Sequence, residues 1–335
     1  MKQSPFLSVI MSVYNSEKFL EESVNAVLSQ TYSNFEFIIV DDGSTDSSIK
    51  IITQFEDSRI KLLINRENQG LAASLNKAIK AAKGKYVARI DADDICYKQR
   101  LKRQVDFMEK NSETDICGGF VKRISKEGKV FQAINSYPLK DRQIKADTVF
   151  GPRLFHPTVM FRTTFLLQNE VQYDISYKKA QDFELWSRLV FESNAVFANI
   201  PAFFVKYRDI QNRKEKLVRN KLQNEYANNI RIKNLQRLRV AYAPSHHTVN
   251  KLINSNLSKY ETLKFLILLQ EINKKSYARF GAYPKLNNIV KIQQFGFWGI
   301  KMFIVCKLYR NLILLKQFKL IFFALVQELK LKTGT

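Results

Sequence analysis

The sequence predicts an α/β protein with a doubly wound, mostly parallel sheet, followed by a basic, helical C-terminal extension. Three observations predict it. Short β-branched apolar runs alternate with amphipathic helical stretches from residue 7 to residue 94, two of those runs end in acidic clusters, and the excess positive charge sits almost wholly in the C-terminal part. Alternation at this spacing is the pattern of βαβ units, whose parallel strands are buried on both faces. The 335 residues, 45% of them hydrophobic, suffice for one large domain, taken as 1–211, and an appendage, 212–335.

Residues 7–13 (LSVIMSV) form the first predicted strand; they lack a small-residue cleavage site and run on into patterned sequence, so they are not read as a signal peptide. A helix follows over 17–30, a strand over 35–40, a helix over 47–55 and a short strand over 60–64. Asn68-Gln69-Gly70 makes a turn into a helix over 71–82, whose Leu71, Leu75, Ala78, Ile79 and Ala82 share a face. After Gly84 a strand begins at Tyr86 and ends in Asp91-Ala92-Asp93-Asp94. Beyond it we expect a helix over 98–110, strands over 115–124 and 130–134, a helix over 141–148, a strand over 158–161, a helix over 180–192 and a strand over 195–200. From about residue 213 the chain becomes helical and basic, with Pro244 and Pro284 as breaks.

In an open α/β sheet ligands bind outside the carboxyl edges of the strands. Residues i and i+2 of an extended chain point the same way, so Asp91 and Asp93 can face one ion together. Paired carboxylates repel unless a cation lies between them, and Mg2+ or Mn2+, hard ions held by oxygen, suit such a place beside a diphosphate. The same residues suit an acidic turn in which Asp94 caps the next helix. Asp41 and Asp42 end a neighbouring strand on the same edge, where they fit either a nucleotide's base and ribose or a turn and helix cap. No glycine-rich phosphate loop is present.

A third carboxylate, Asp182, stands at a helix start one turn before Trp186. The helix dipole would keep it ionised beside an aromatic wall, as a general base requires; a capping Asp over a core Trp fits the same spacing. Glu184 and Arg188 read as a surface ion pair. His156, before Pro157, lines the acceptor side or serves the fold, and His246 and His247 receive no role.

Taken together these stretches resemble glycosyltransferase family 2, the inverting nucleotide-sugar enzymes of GT-A fold, as found in bacterial polysaccharide and lipopolysaccharide synthesis. The resemblance runs through SVIMSVYN (8–15), FEFIIVDDGSTD (35–46), NQGLAASLNKAI (68–79), GKYVARIDADD (84–94), HPTVMFR (156–162), QDFELWSRL (181–189) and VKYR (205–208). It implies that Ser12 to Asn15, among them Tyr14, and Asp42 contact base and ribose; Asp41, Asn68 and Gly70 are further candidates for substrate binding. It also implies that Asp91 and Asp93 are the DxD metal motif, with Asp94 adjoining, and that Asp182 is the catalytic base. Two positions depart from the family pattern: Gln181 stands where many relatives have Glu, and Ile210 where many have His.

Residues 1–205 hold 28 Lys and Arg against 25 Asp and Glu, whereas 206–335 hold 26 against 6. No uncharged run in 295–331 approaches the ~18 residues of a spanning helix. Apolar helices studded with lysine suit the surface of an anionic membrane, which points to a polyprenyl-diphosphate-linked glycan acceptor and a cytoplasmic protein at the inner face of the cell membrane; a helical subdomain packed on the core fits as well. Cys96, Cys117 and Cys306 have neither metal-ligand nor CxxC spacing, in keeping with a reducing compartment. A nucleotidyltransferase would show a glycine-rich basic loop near its N-terminus, and SVYNSEKF is not one. No nucleic-acid-binding motif appears either. An inactive scaffold is disfavoured by the intact Asp42, Asp91, Asp93 and Asp182, and nothing specifies an oligomeric state.

Overall fold

The structure, a computed structural model, describes residues 6–209, 213–239, 271–272 and 274–282. All of them belong to one compact unit, Met1–His246 with Leu266–Pro284; a second unit, His247–Phe265 with Lys285–Thr335, lies outside the described residues. The breaks at Pro244 and Pro284, His246, His247, Ile210, Cys306 and the lysine-studded stretch 295–331 therefore fall outside them too.

In chain order the elements are β1 (Leu7–Val13), α1 (Glu17–Leu28), β2 (Phe35–Asp41), α2 (Ser48–Thr53), β3 (Ile60–Ile64), α3 (Leu71–Ala81), β4 (Tyr86–Asp91), β5 (Ile95–Cys96) and α4 (Arg100–Lys110). Then come β6 (Ile116–Ile124), β7 (Val130–Ile134), α5 (Asp141–Thr148), a 3-10 turn (His156–Thr158), β8 (Met160–Arg162), α6 (Thr163–Gln168), α7 (Gln181–Glu192), β9 (Phe197–Arg208) and α8 (Arg213–Arg237).

The sheet runs β3-β2-β1-β4-β8-β6-β9-β5, with β7 hairpinned onto β6. From β3 to β4 every pairing is parallel, which is the predicted doubly wound half. Its strands are apolar because helices cover both faces: Leu20, Val24 and Val27 of α1 and Ala72, Leu75 and Ala78 of α3 are buried against them. Beyond β4 the sheet turns mixed. There β8 is antiparallel to β4 and β6, whereas β9 is parallel to β6.

Three local differences from expectation have physical causes. The strand over 158–161 begins only at Met160, since Pro157 lacks an N–H and sits in the 3-10 turn instead. The strand over 195–200 does not stop at Pro201 but runs on to Arg208, and the register against β6 slips between Gly119 and Phe120 where the proline falls. A Cβ on Gly119 would lie 2.3 Å from the Phe204 ring, so only glycine lets that ring fill the bend. Finally, β5 and α6 are too short to show a period in the sequence.

The first part of the basic C-terminal region is packed rather than free. On α8, Ala227 and Ile230 join Tyr177, Ala180 and Phe183 in a small apolar cluster. Arg231 Nε donates to the Phe150 carbonyl at 2.8 Å and Asn234 Nδ2 to the Val149 carbonyl at 3.2 Å, so α8 also supplies partners to the C-terminal end of α5.

Candidate active site

Register explains how the acids meet. Ser12 on β1 lies opposite Asp91 on β4 and opposite Val40 on β2, and Val13 lies opposite Asp41, so three parallel strands end level with one another. Carboxylate oxygens of Asp91, Asp93 and Asp94 fall within 4.8 Å of one another. Burial, then the Asp91 charge, pushes the Asp93 carboxyl up to about 6. Burial, followed by the Asp93 and Asp91 charges, raises Asp94 well above the usual carboxylate range. Asp94 accepts the Arg208 amide on Oδ1 at 2.8 Å, while its buried Oδ2 has no hydrogen-bond partner among the described residues. Crowded carboxylates with an orphaned inner oxygen form a hard-oxygen donor set short of positive charge, which is the chemistry that fits Mg2+ or Mn2+.

Two arginines that were not among the expected site residues organise this cluster. Arg89 is 1% exposed, in the middle of β4, and its guanidinium grips both oxygens of Asp91, Nη1 to Oδ2 at 2.8 Å. Arg208, at the end of β9, donates its Nε to the Asp93 carbonyl at 2.9 Å and Nη1 to the Lys126 carbonyl at 2.8 Å, pairs with Glu22 and covers the Phe19 ring. It fastens the turn that carries Asp93 and Asp94.

Asp182 enters this neighbourhood from the first turn of α7, whose Ala180 cap is left-handed. The residue is half-buried. Burial raises its pKa despite the Phe183 amide and Arg89, which pull the other way. The amide at the helix start pulls toward the ionised form, as expected, but desolvation outweighs it, so the carboxyl is a stronger base than a solvated Asp. His156 Nε2 and the Tyr173 hydroxyl share a hydrogen bond of 2.7 Å. Burial, then the positive Arg89 nearby, holds His156 well below its usual pKa and hence neutral. Arg89 also acts on Asp93, Asp94, Tyr173 and Asp182, so its guanidinium is the hub of the site.

Other expected contacts fall elsewhere. Asp41 and Asp42 are 0% and 1% exposed and do not reach the cleft surface. Asp41 Oδ2 accepts the Ser44 amide at 3.0 Å. Asp42 accepts Asn65 Nδ2 at 2.7 Å, the Gln69 amide at 3.0 Å and the Gly70 amide at 2.8 Å, and although burial opposes it, these bonds hold its pKa below the usual value. Both acids shape the loops 43–48 and 65–70 from beneath, and Gly70 is drawn into that scaffold. Trp186 is likewise corrected: it is fully buried against Phe161 and the edge of His156, and so backs the site without lining it. Tyr14, Asn15 and Asn68 are exposed at the rim and Ser12 is half-buried beside Asp91, with Asn15 Oδ1 accepting the Thr45 amide at 2.8 Å. Glu184 and Arg188 do pair, at 2.9 Å.

A carboxylate cluster at the carboxyl edge of a parallel half-sheet, with a further enclosed carboxylate in its field, is the architecture of the GT-A nucleotide-sugar transferases. The family model of glycosyl transferase family 2 matches residues 8–181, and the chain belongs to that family. An uncharacterized glycosyltransferase of Methanocaldococcus jannaschii, MJ1057, is 35% identical over 227 residues, which cover 67% of this chain and 77% of that one. The UDP-Glc:alpha-D-GlcNAc-diphosphoundecaprenol beta-1,3-glucosyltransferase WfgD of Escherichia coli is 28% identical over 204 residues, 60% of this chain and 76% of that one. Among solved structures, residues 1–349 of S. aureus TarS superpose with a TM-score of 0.52 at 20% identity over 83% of each chain. The same fragment in complex with UDP gives 0.50 over 80% of each. The likeness at this identity is one of fold.

Proposed function

We propose that this glycosyltransferase is an inverting, metal-dependent hexosyltransferase. It moves a sugar from a UDP-sugar to a hydroxyl of a lipid-linked glycan in cell-surface polysaccharide synthesis. The observation that carries the reading is the meeting of Asp182 with the Asp91–Asp93–Asp94 cluster around Arg89, which gathers a base and a diphosphate site at one strand edge. TarS binding UDP and UDP-GlcNAc, and the diphosphoundecaprenol-linked acceptor in the name of WfgD, support the substrate classes.

In this mechanism Ser12, Tyr14, Asn15 and Asn68 form the donor rim. Asp182 takes the proton of the acceptor hydroxyl, whose oxygen attacks the anomeric carbon from the face opposite the nucleotide and inverts it. A carboxyl raised by burial is a stronger base than a solvated one, and such bases contribute typically ~10²–10⁴-fold. Asp93 and Asp94, with Asp91 held by Arg89, would hold Mn2+ or Mg2+, which when bound neutralises charge on the departing nucleoside diphosphate. His156, neutral and tied to Tyr173, lines the acceptor side. The C-terminal extension is proposed to rest on an anionic membrane at the cytoplasmic face; among the described residues no helix is long and apolar enough to cross one.

Calorimetry with UDP, dTDP and GDP, each with and without Mn2+, tests the reading. We expect metal-dependent binding of UDP that disappears in Asp93→Ala. Metal-independent binding, or preference for another nucleotide, would refute the donor assignment.

A further inference from the structure

Beside Asp182 the fold places a buried arginine and a half-buried one that the mechanism above does not use. Arg153 is 9% exposed, follows Gly151-Pro152, and carries an Nε with no hydrogen-bond partner among the described residues. That Nε stands 3.8 Å from Asp147 Oδ2, beyond hydrogen-bond range, and Nη1 reaches the Pro152 carbonyl only at 3.3 Å. Arg231 of α8 approaches from the other side: Nη1 donates to Asn228 at 2.7 Å, and its guanidinium lies 5.8 Å from the centre of the Phe183 ring, the residue after Asp182. The two guanidiniums feel each other, and burial, then Arg153, lowers Arg231 to about 10. The Tyr137 hydroxyl lies in the fields of both Arg153 and Asp182, and its ring stacks on Phe155 at 4.3 Å.

Two largely desolvated guanidiniums held close together, one with an unbonded Nε and with Asp147 as the nearby carboxylate, are an arrangement that folding alone disfavours, because desolvated guanidiniums require partners. A phosphate would supply the missing bonds, since arginine forks match its oxygens. We infer that Arg153 and Arg231 form an anion subsite on the acceptor side of Asp182 that binds the phosphate of a phosphorylated acceptor, with the Tyr137–Phe155 stack as the adjoining surface for its sugar ring. This rests on the glycosyltransferase mechanism proposed above and specifies its acceptor: the sugar receiving the new bond is borne on a phosphate or diphosphate.

The test uses the full chain and two probes. In EDTA, inorganic pyrophosphate should bind the wild type, and Arg153→Gln and Arg231→Gln should each weaken it by about tenfold or more. Arg153→Lys, which keeps the charge without the fork, should fall between. Circular dichroism confirms that each variant is folded. UDP with Mn2+, titrated in parallel, should bind wild type and variants alike. Farnesyl diphosphate binding tighter than pyrophosphate would identify a lipid-linked acceptor, and equal affinity a soluble sugar phosphate; either supports the subsite. Undiminished pyrophosphate binding in folded Arg153→Gln and Arg231→Gln would overturn it while leaving the donor reading intact. Loss of UDP binding in those variants would overturn it by moving the arginines to the donor side. Failure of the wild type to bind UDP with Mn2+ would remove the mechanism, and this inference with it.

Discussion

Arg89→Met isolates the charge balance at the hub of the site. The substitution keeps a long apolar side chain in β4 but removes the guanidinium that grips both oxygens of Asp91. Arg89 is 2% exposed at its side chain and Asp91 26%, so the pair is largely desolvated, and Asp93 and Asp94 beside it are already raised by burial and by the neighbouring carboxylate charges. Breaking a buried pair by removing one partner costs about 3–5 kcal/mol. The partial exposure of Asp91 favours the lower end, about 3 kcal/mol, or roughly 6–12 °C in Tm for a unit of this size. The assay is thermal unfolding in EDTA and again with Mn2+. Because a cation can replace the lost charge, Mn2+ should raise the Tm of Arg89→Met by more than it raises that of the wild type. A variant melting within about 2 °C of wild type in EDTA, with no greater response to Mn2+, would refute the role of Arg89 as counter-charge.

Two other carboxylates should respond to pH with opposite signs. Burial raises Asp182, so ionising it destabilises the folded chain; Asp182→Asn should melt higher than wild type near pH 8, with the difference closing as pH falls below the raised pKa, while transfer drops by ~10²–10⁴-fold. If the enzyme uses this base, activity should fall on the acid side at a pH above the ordinary Asp value of ~3.9. Asp42 is held low by its hydrogen bonds, so Asp42→Asn should destabilise by about 1–3 kcal/mol near pH 7, and the loss should shrink as pH falls through the native pKa. Gly43→Ala should destabilise by about 1–3 kcal/mol in chemical denaturation, because φ is 73° and a Cβ would stand 2.7 Å from the Glu67 carbonyl carbon.

The βα order through β4 was readable because each element there is long enough to show its period, and period two alone put Asp91 and Asp93 on one side. What the acids at the end of β2 do was not readable. Asp42 faces a loop 23 to 28 residues further on, and a strand-end Asp that scaffolds such a loop has the same local sequence as one that meets a ligand. Trp186 follows Asp182 at helical spacing, but the packing of α7 on Phe161 turns it inward. Arg89 did leave a signal: an arginine between Ala88 and Ile90 in a buried strand has to find a partner, and Asp91 lies two residues on, pointing the same way. Arg153 left none, since its isolation depends on α8, which arrives from about eighty residues away.

The fastening of the acidic turn by Arg208 bears on how the protein is made. One side chain ties together residue 22, residue 93 and residues 125–126, across sequence separations of up to 186. Such contacts are the slow, late part of folding, because long loops must close before they form. During synthesis the strands of the parallel half and every acid of the cluster emerge well before this clasp. The protein therefore passes through a stage in which the carboxyl edge of the parallel half is built but the acidic turn is still unfastened, and the acidic cluster takes its final shape only when β9 has been translated and docked.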